Sequence, residues 1–574
     1  MSPLHRKIST LLFVLLLTLT CNYFWVARRM WKRVTCVSKP DSDYNHIHFP
    51  DIPNMTLLES VLGLKQPGAN GTAVVVDVKK LPKEEAEKFQ RSIEEREYSS
   101  YTSSLIPLQR SLPDVRLQGC YTLYSDLNLP ETSVIIIFYN EHWSVLLRTV
   151  HSIMDNTPPH LIKEVILVDD ASTDEVLKEP LKEYVSRFRK VQIVRAESRQ
   201  GLIRARMMGF EHSTAPVAVF MDAHCECFPG WLEPLVTRIA ENDSIITTPM
   251  IHGVNPLNFG VTMTTNIRLQ WVSFPELRFA WMNVPQREKL RRKRPTDPYR
   301  SPAMVGCVFA ISRRWFRKLG QFDPGMEVWG AENTELSLKT WMCGGGLELV
   351  PCSNVGHMYR PNKYYDSNPP FFSRNIARIA NVWMDGYNVF ARNHDGALAD
   401  VGDISDRLKL RRDLHCHSFE WYLANVNPES YIVGDGIYTG EVRNVGLGTF
   451  CIDDTYGSKR LVSPIALFTC HGQLGNQLWD YTELREIKNF MFCFQETTGP
   501  VAMAICDEGE MKQKWRYDPS ADGHGPVVSA SGLCLSVDTT QLILITETCN
   551  GNGLQLWRWR KRREPRTWKL KNSM

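Results

Sequence analysis

Four apolar runs, separated by three amphipathic stretches, mark the middle of the chain. TSVIIIFYN (132–140) reads as a buried strand, and HWSVLLRTVHSIM (142–154) as the helix after it. EVILVDD (164–170) predicts a second strand ending on two carboxylates, with helical character at about 175–187. VQIVRA (191–196) predicts a third strand and GLIRARMMGFEHS (201–213) a helix. APVAVFMDAH (215–224) predicts a fourth strand. This α/β alternation implies a mostly parallel sheet with helices on both faces. Ligands of such sheets lie beyond the carboxyl ends of the strands, where Asp169, Asp170 and Asp222 fall. No GxGxxG follows the first strand, so a dinucleotide site is not expected.

The pattern changes on either side. Residues 9–27, STLLFVLLLTLTCNYFWVA, form an uncharged apolar run that fits a short membrane anchor after a tail at 1–8. No small-x-small site closes the run, which argues against a cleaved signal peptide, and Phe24-Trp25 suit an interface. Residues 28–110 read as a stem, with charged stretches such as EEAEKFQRSIEEREY and one exposed helix. A compact domain is expected at 111–395, with a loop-like break at 285–302. A connector follows at 396–440, with a helix-like patch at 419–426.

Residues 441–574 carry a degenerate threefold repeat. Cys451 and Cys470 precede GNQLW (475–479), Cys493 and Cys506 precede QKW (513–515), and Cys534 and Cys549 precede QLW (555–557). A unit of roughly 40 residues cannot bury its own aromatic, whereas three stacked units can. The spacing predicts one disulfide per unit, Cys451–Cys470, Cys493–Cys506 and Cys534–Cys549, and hence an oxidising compartment.

Charge refines the topology. The net charge of the 574-residue chain is only +4, which leaves no basic field for nucleic acid. His5, Arg6 and Lys7 precede the apolar run, while Arg28, Arg29, Lys32 and Arg33 follow it. That balance alone would keep the C-terminal part in the cytosol. The cysteines and the sequons at Asn54 and Asn70 favour a lumenal C-terminal part instead.

Candidate chemistry sits at the strand ends. Asp222 and His224 are two apart and would share a face on an extended strand, and Val355-Gly356-His357 supplies a second imidazole. One carboxylate and two imidazoles suit a divalent ion, with Mn2+ favoured over Mg2+. A strand-end cap is the plain structural reading of the Asp-x-His pair. Cys225 and Cys227 open a competing zinc reading. In WGAENTELSLKTW (329–341), Glu332 and Glu335 fall near a helix start, where carboxylates cap or contact a ligand. Trp329 could wall off a ligand, and Arg199, Arg204, Arg206 and Arg360 are phosphate or carboxylate candidates.

Taken together, the strings SVIIIFYNEHWSVLLRTVHSI, KEVILVDDAS, RQGLIRARMMG, MDAHCECFPGWLEPLV, SPAMVGCVFAI, FDPGMEVWGAENTELSLKTWMCGG, PCSNVGHMYR and RIANVWMDGY resemble the UDP-GalNAc:polypeptide N-acetylgalactosaminyltransferases. The resemblance runs over about 114–574 and includes ricin-type lectin repeats. It implies a GT-A-like (Rossmann-like) glycosyltransferase domain followed by a ricin-type β-trefoil, in a type II Golgi membrane protein with a lumenal catalytic part. It implies transfer of GalNAc from UDP-GalNAc to Ser or Thr of a polypeptide or glycopeptide, with retention of the α configuration. Mn2+ would be held by Asp222, His224 and His357. Asp170, Arg199, Asp222, Arg360 and Tyr365 would bind the donor, with Trp329, Glu332 and Asn333 at its sugar end. Phe279, Trp281 and Tyr359 would line the acceptor groove. Asp453, His471 and Asn476 would bind sugar in the first lectin unit, whereas Gln495 and Ser536 replace the aspartate in the other two. By pattern, Cys120 pairs with Cys352 and Cys343 with Cys416.

The sequence departs from the family at several points. Val305-Gly306-Cys307 stands where two glycines are usual, Ala331 stands in the second glycine place of WGGEN, and His252 replaces an aspartate. The GGF before the acceptor aromatics is missing around Ile267–Gln270, and Gly386 and Asn388 replace an acid and a base. These changes define an alternative: a catalytically silent, membrane-tethered glycopeptide binder.

Overall fold

The structure, a computed structural model, describes residues 66–124, 128–272, 277, 279–360, 370–388, 400–430, 436–454, 464–472, 475–489, 492–507 and 509–562. The expected anchor at 9–27, Asn54 and Tyr365 lie outside the described residues. Among those described, no helix is long and apolar enough to cross a membrane.

The four expected strands form as β1 (Thr132–Phe138), β2 (Ile162–Asp169), β3 (Val191–Arg195) and β4 (Val217–Asp222). Helices Trp143–Asp155, Glu179–Val185 and Leu202–His212 connect them. Val134, Ile136 and Phe138 enter one apolar cluster, and Ile135 and Ile137 the opposite one. Both faces of β1 are therefore covered, which is why its sequence is continuously apolar rather than alternating.

Beyond β4 come β5 (Cys225–Cys227), β6 (Ile245–Val254), β7 (Val261–Thr262), the hairpin β8 (Arg268–Val272) and β9 (Phe279–Asn283), β10 (Tyr299–Arg300), β11 (Val308–Ser312) and β12 (Gly346–Met358). The main sheet runs β10-β12-β6-β11-β4-β1-β2-β3, with β5 on β12 and β7 on β6. It is mixed, not mostly parallel. β11 lies antiparallel to both β4 and β6. The expected loop at 285–302 holds a short helix, Gln286–Arg291, and β10; the chain reaches β11 through these and the β8–β9 hairpin rather than through one crossover helix, so nothing imposes a parallel direction.

Two expected boundaries shift. Residues 66–110 are not a free stem over their whole length. Val74, Tyr98, Tyr101, Leu105 and Ile106 pack with Val145, Val254, Phe259 and Met358. Arg110 makes a buried two-pronged contact with Glu226, at 2.6 Å for each oxygen. The charged composition belongs to helix Lys83–Arg96, and the anchoring residues flank it, Val74 before and Tyr98, Tyr101, Leu105 and Ile106 after. The connector, described over 400–430, also packs on the α/β core. Phe419, Tyr422, Leu423 and Val426 join its apolar cluster, and Tyr422 donates to Pro302 O at 3.0 Å.

Disulfides join Cys120–Cys352, Cys343–Cys416, Cys451–Cys470, Cys493–Cys506 and Cys534–Cys549. In the C-terminal part, Trp479, Trp515 and Trp557 are fully buried. Their indole nitrogens donate to Ile452 O, Phe494 O and Leu535 O, each the residue after a half-cystine. One contact repeated three times closes a trefoil core from three weak units.

Candidate active site

The carboxyl end of β4 and the end of β12 meet at one corner of the sheet. Asp222 is the last residue of β4. His224 is not on that strand: Ala223 and His224 turn the chain into β5, because β5 must reach β12, where Cys225 pairs with His357. The turn, rather than strand alternation, brings the residues together. Potential ligand atoms of Asp222, His224 and His357 all lie within 4.8 Å of one another.

The local chemistry fits a divalent cation. His357 is buried and its Nε2 stands 3.4 Å from Asp222 Oδ2. Burial pulls the His357 pKa below its ordinary value, so the ring stays neutral with a lone pair to give. Burial opposes the Asp222 charge, but His357, Arg206 and His224 outweigh it and hold the carboxyl pKa below the usual range. One carboxylate oxygen and two imidazoles suit Mn2+. Cys225 and Cys227 pack in the apolar cluster, and burial pushes both thiols up, away from the thiolate a zinc site needs.

Arg206 does not face a ligand phosphate. It is 1% exposed and donates to Asp222 Oδ1 (3.2 Å), Glu332 Oε1 (2.9 Å) and Gly306 O (2.6 Å). It thereby ties the metal corner to the N-terminus of helix Glu332–Met342. Glu332 also accepts from Gly330 N at 3.0 Å, and Asn333 donates to Met304 O at 2.9 Å. Trp329 stacks near Phe372 with ring centroids 6.3 Å apart, and Asn375 donates to Gly330 O at 3.0 Å. Glu335 is fully enclosed and paired with Lys339 at 2.8 Å, so it is a core ion pair.

A second cluster lies at the end of β2. Asp170 is fully buried, pairs with Arg199, and accepts from Gln200 N (2.6 Å) and Gly201 N (3.0 Å). Arg199 lies 3.7 Å over the Tyr139 ring. Gly201 has φ 80, and a Cβ there would stand 2.5 Å from Val328 Cα. Glycine is required so that this loop can touch the segment leading to Trp329. Arg360 reaches the metal corner, where it pairs with Glu141.

The three expected acceptor-groove residues fall on two elements, β9 and the residue after β12. Tyr359 stacks edge-on against His357 at 4.4 Å, beside the metal corner. Trp281 is 36% exposed on the β8–β9 hairpin, and of Phe279 the structure describes the backbone in β9. Gln270 Oε1 of β8 accepts from Val305 N at 2.6 Å, tying the hairpin to the 301–307 stretch.

The departures fall into place. Cys307 is 4% exposed and joins the core cluster, and its carbonyl accepts from Asp222 N at 2.9 Å. His252 is tied off, its Nε2 3.0 Å from Asn354 Oδ1 and its Nδ1 accepting from Thr264 N at 3.1 Å. Gly386 sits in a turn with no heavy atom within 4 Å of an added Cβ. Ala331 holds φ 69, a left-handed conformation that glycine would adopt freely.

In the first trefoil unit Asp453 is buried and accepts from Asn476 Nδ2 (2.7 Å) and Gln477 Nε2 (2.8 Å). His471 Nε2 lies 3.3 Å from Asn476 Oδ1. Sequence reasoning missed Gln477, Glu141 and Tyr98. Glu141 carried one legible signal, a carboxylate just past the carboxyl end of β1.

A mixed α/β sheet with a cation corner, joined to a trefoil, defines a GT-A-like glycosyltransferase with a lectin domain. Residues 133–320 match glycosyl transferase family 2, 290–363 the N-terminal domain of galactosyltransferase, and 438–557 the ricin-type beta-trefoil lectin domain. Polypeptide N-acetylgalactosaminyltransferase 5 of Caenorhabditis elegans is 40% identical over 490 residues, 84% of this chain and 78% of that protein. Polypeptide N-acetylgalactosaminyltransferase 6 of Bos taurus is 38% identical over 516 residues, 84% of this chain and 80% of that protein. The crystal structure of GalNAc-T7 with UDP, GalNAc and Mn2+ superposes with TM-score 0.63 and 32% identity, covering 87% of this chain and 93% of that one. The chain belongs to the polypeptide N-acetylgalactosaminyltransferase family.

Proposed function

We propose that the protein transfers GalNAc from UDP-GalNAc to Ser or Thr hydroxyls of polypeptides, with retention of the α configuration. The observation that carries this reading is the convergence of Asp222, His224 and His357 within 4.8 Å at the strand ends of a chain 40% identical to a named transferase of this kind. These three residues would hold Mn2+. When bound, the ion offsets charge developing on the departing diphosphate.

The chain's own residues do the rest. Asp170 and Arg199 hold the nucleotide, and Arg360 and Tyr365 the diphosphate side. Glu332 and Asn333 orient the sugar at a helix N-terminus, and Trp329 covers it. Arg206 keeps Asp222 and Glu332 in fixed relation through its two contacts. Phe279, Trp281 and Tyr359 line the acceptor side. The acceptor hydroxyl attacks from the face that the diphosphate leaves, and the departing phosphate oxygen takes its proton. No side chain acts as a nucleophile. Asp453, His471 and Asn476 bind GalNAc already on the acceptor.

The domain plan follows the same reading: a type II Golgi membrane protein anchored by 9–27, with the transferase and trefoil in the lumen. Five disulfides and the exposed sequon at Asn70 support that side of the membrane. Incorporation of labelled GalNAc into a peptide panel by detergent-purified full chain, with Mn2+ or with chelator, tests the activity. The rival reading, a glycopeptide binder without turnover, draws on the strained Ala331 beside Glu332. Donor and glycopeptide binding with no product on any peptide would establish it.

A further inference from the structure

Glu141 has no part in the roles above, yet it is 5% exposed and both its oxygens are used. Oε1 accepts from the Tyr98 hydroxyl at 2.6 Å and from His142 N at 3.1 Å. Oε2 accepts from Arg360 Nη2 and lies 3.1 Å from His224 Nδ1. Arg360 Nη2 and His224 Nδ1 are also 3.3 Å apart. Arginine nitrogens only donate and an ionised carboxylate only accepts, so the two nitrogens converge on Oε2 as fellow donors. Nδ1 of His224 therefore carries the hydrogen. In a neutral ring the free lone pair then sits on Nε2.

We infer that Glu141 is a positioning residue that locks His224 in the Nδ1–H tautomer and so presents Nε2 as the metal-ligating nitrogen. The inference rests on the reading of Asp222, His224 and His357 as a metal site. The carboxylate is itself held from two sides. Tyr98 comes from the segment that packs before the first strand, and Arg360 follows the last strand of the sheet. A histidine ligand whose other ring nitrogen is anchored in this way loses about 10- to 100-fold in metal affinity when the anchor is removed. No ligand is lost in that change, only its orientation and tautomer.

The test is Mn2+ binding to the purified full chain, without donor or peptide, followed by the electron paramagnetic resonance signal of free Mn2+. Glu141→Gln is expected to weaken Mn2+ binding by about 10- to 100-fold while the metal-free protein keeps a cooperative melt. Glu141→Asp keeps the charge that Arg360 faces but withdraws the oxygen by one methylene. It is expected to weaken binding as well, and it serves where the glutamine variant does not fold. A folded variant of either kind that binds Mn2+ as the parent does overturns the inference. His224→Ala separates the two levels. If the parent binds no Mn2+, or His224→Ala binds it equally, the metal reading itself falls and the positioning role falls with it. If His224→Ala loses binding while the Glu141 variants do not, only the positioning role is wrong.

Discussion

Asp222 and Asp453 are both carboxylates at strand ends, one in the transferase part and one in the trefoil, and their surroundings are built in opposite ways. Asp222 is held by Arg206 of the preceding helix and faces His357 of a distant strand, both charged or titratable groups. Arg206 in turn carries Glu332, so one guanidinium serves two acids. Asp453 is held by Asn476 and Gln477, neutral amides of its own repeat unit. The other units keep the same scaffold with other partners. Gln513 donates to Gln495 Oε1 at 3.1 Å, and Gln555 to Glu547 Oε1 at 2.9 Å. The trefoil therefore tolerates a change of acid, while the transferase corner is a shared network in which every removal strands a buried partner.

That contrast is open to direct tests. His357→Ala is expected to reduce transfer by at least about 10³-fold, since a metal ligand contributes several kcal/mol of charge stabilisation. Steady-state kinetics with saturating Mn2+ check this, and near-parental turnover would remove the metal corner from the reaction. Arg206→Met should strand the Asp222 and Glu332 carboxylates and cost about 3–5 kcal/mol of stability, seen as a large drop in melting temperature. A small drop would mean that the network is not shared. Asp453→Ala should weaken binding of GalNAc-bearing glycopeptides by about 1.5–3 kcal/mol and leave transfer to naked peptides unchanged. A loss of naked-peptide transfer would break the claimed independence of the two parts. Ala331→Gly should raise stability by about 1 kcal/mol through relief of the positive φ, measured by chemical denaturation. No gain would show that the left-handed turn carries no strain.

How far the sequence foretold this follows from where the information sits. The strands at 132–140 and 164–170 were legible because burial on both faces leaves an uninterrupted apolar run. The trefoil was legible because its Trp contacts recur with the period of the chain. Asp222, His224 and His357 could be named as a set, but the reason they meet, a turn at 223–224 forced by β5 joining β12, is a tertiary fact. The packing of 66–110 was hidden because a charged helix dominates the composition while Tyr98 and Tyr101, just after it, do the anchoring. Arg206 and Glu141 act through partners more than 100 residues away in the chain, Glu332 for one and Arg360 for the other, and no local pattern marks such contacts.

Metal-dependent transfer is tested most directly by GalNAc transfer from UDP-GalNAc by the full chain onto naked and GalNAc-bearing peptides, with Mn2+ and with chelator. The expected result is product that requires Mn2+, disappears with chelator, and is lost in His357→Ala. Demonstrated donor and glycopeptide binding with no product on either peptide set would contradict it.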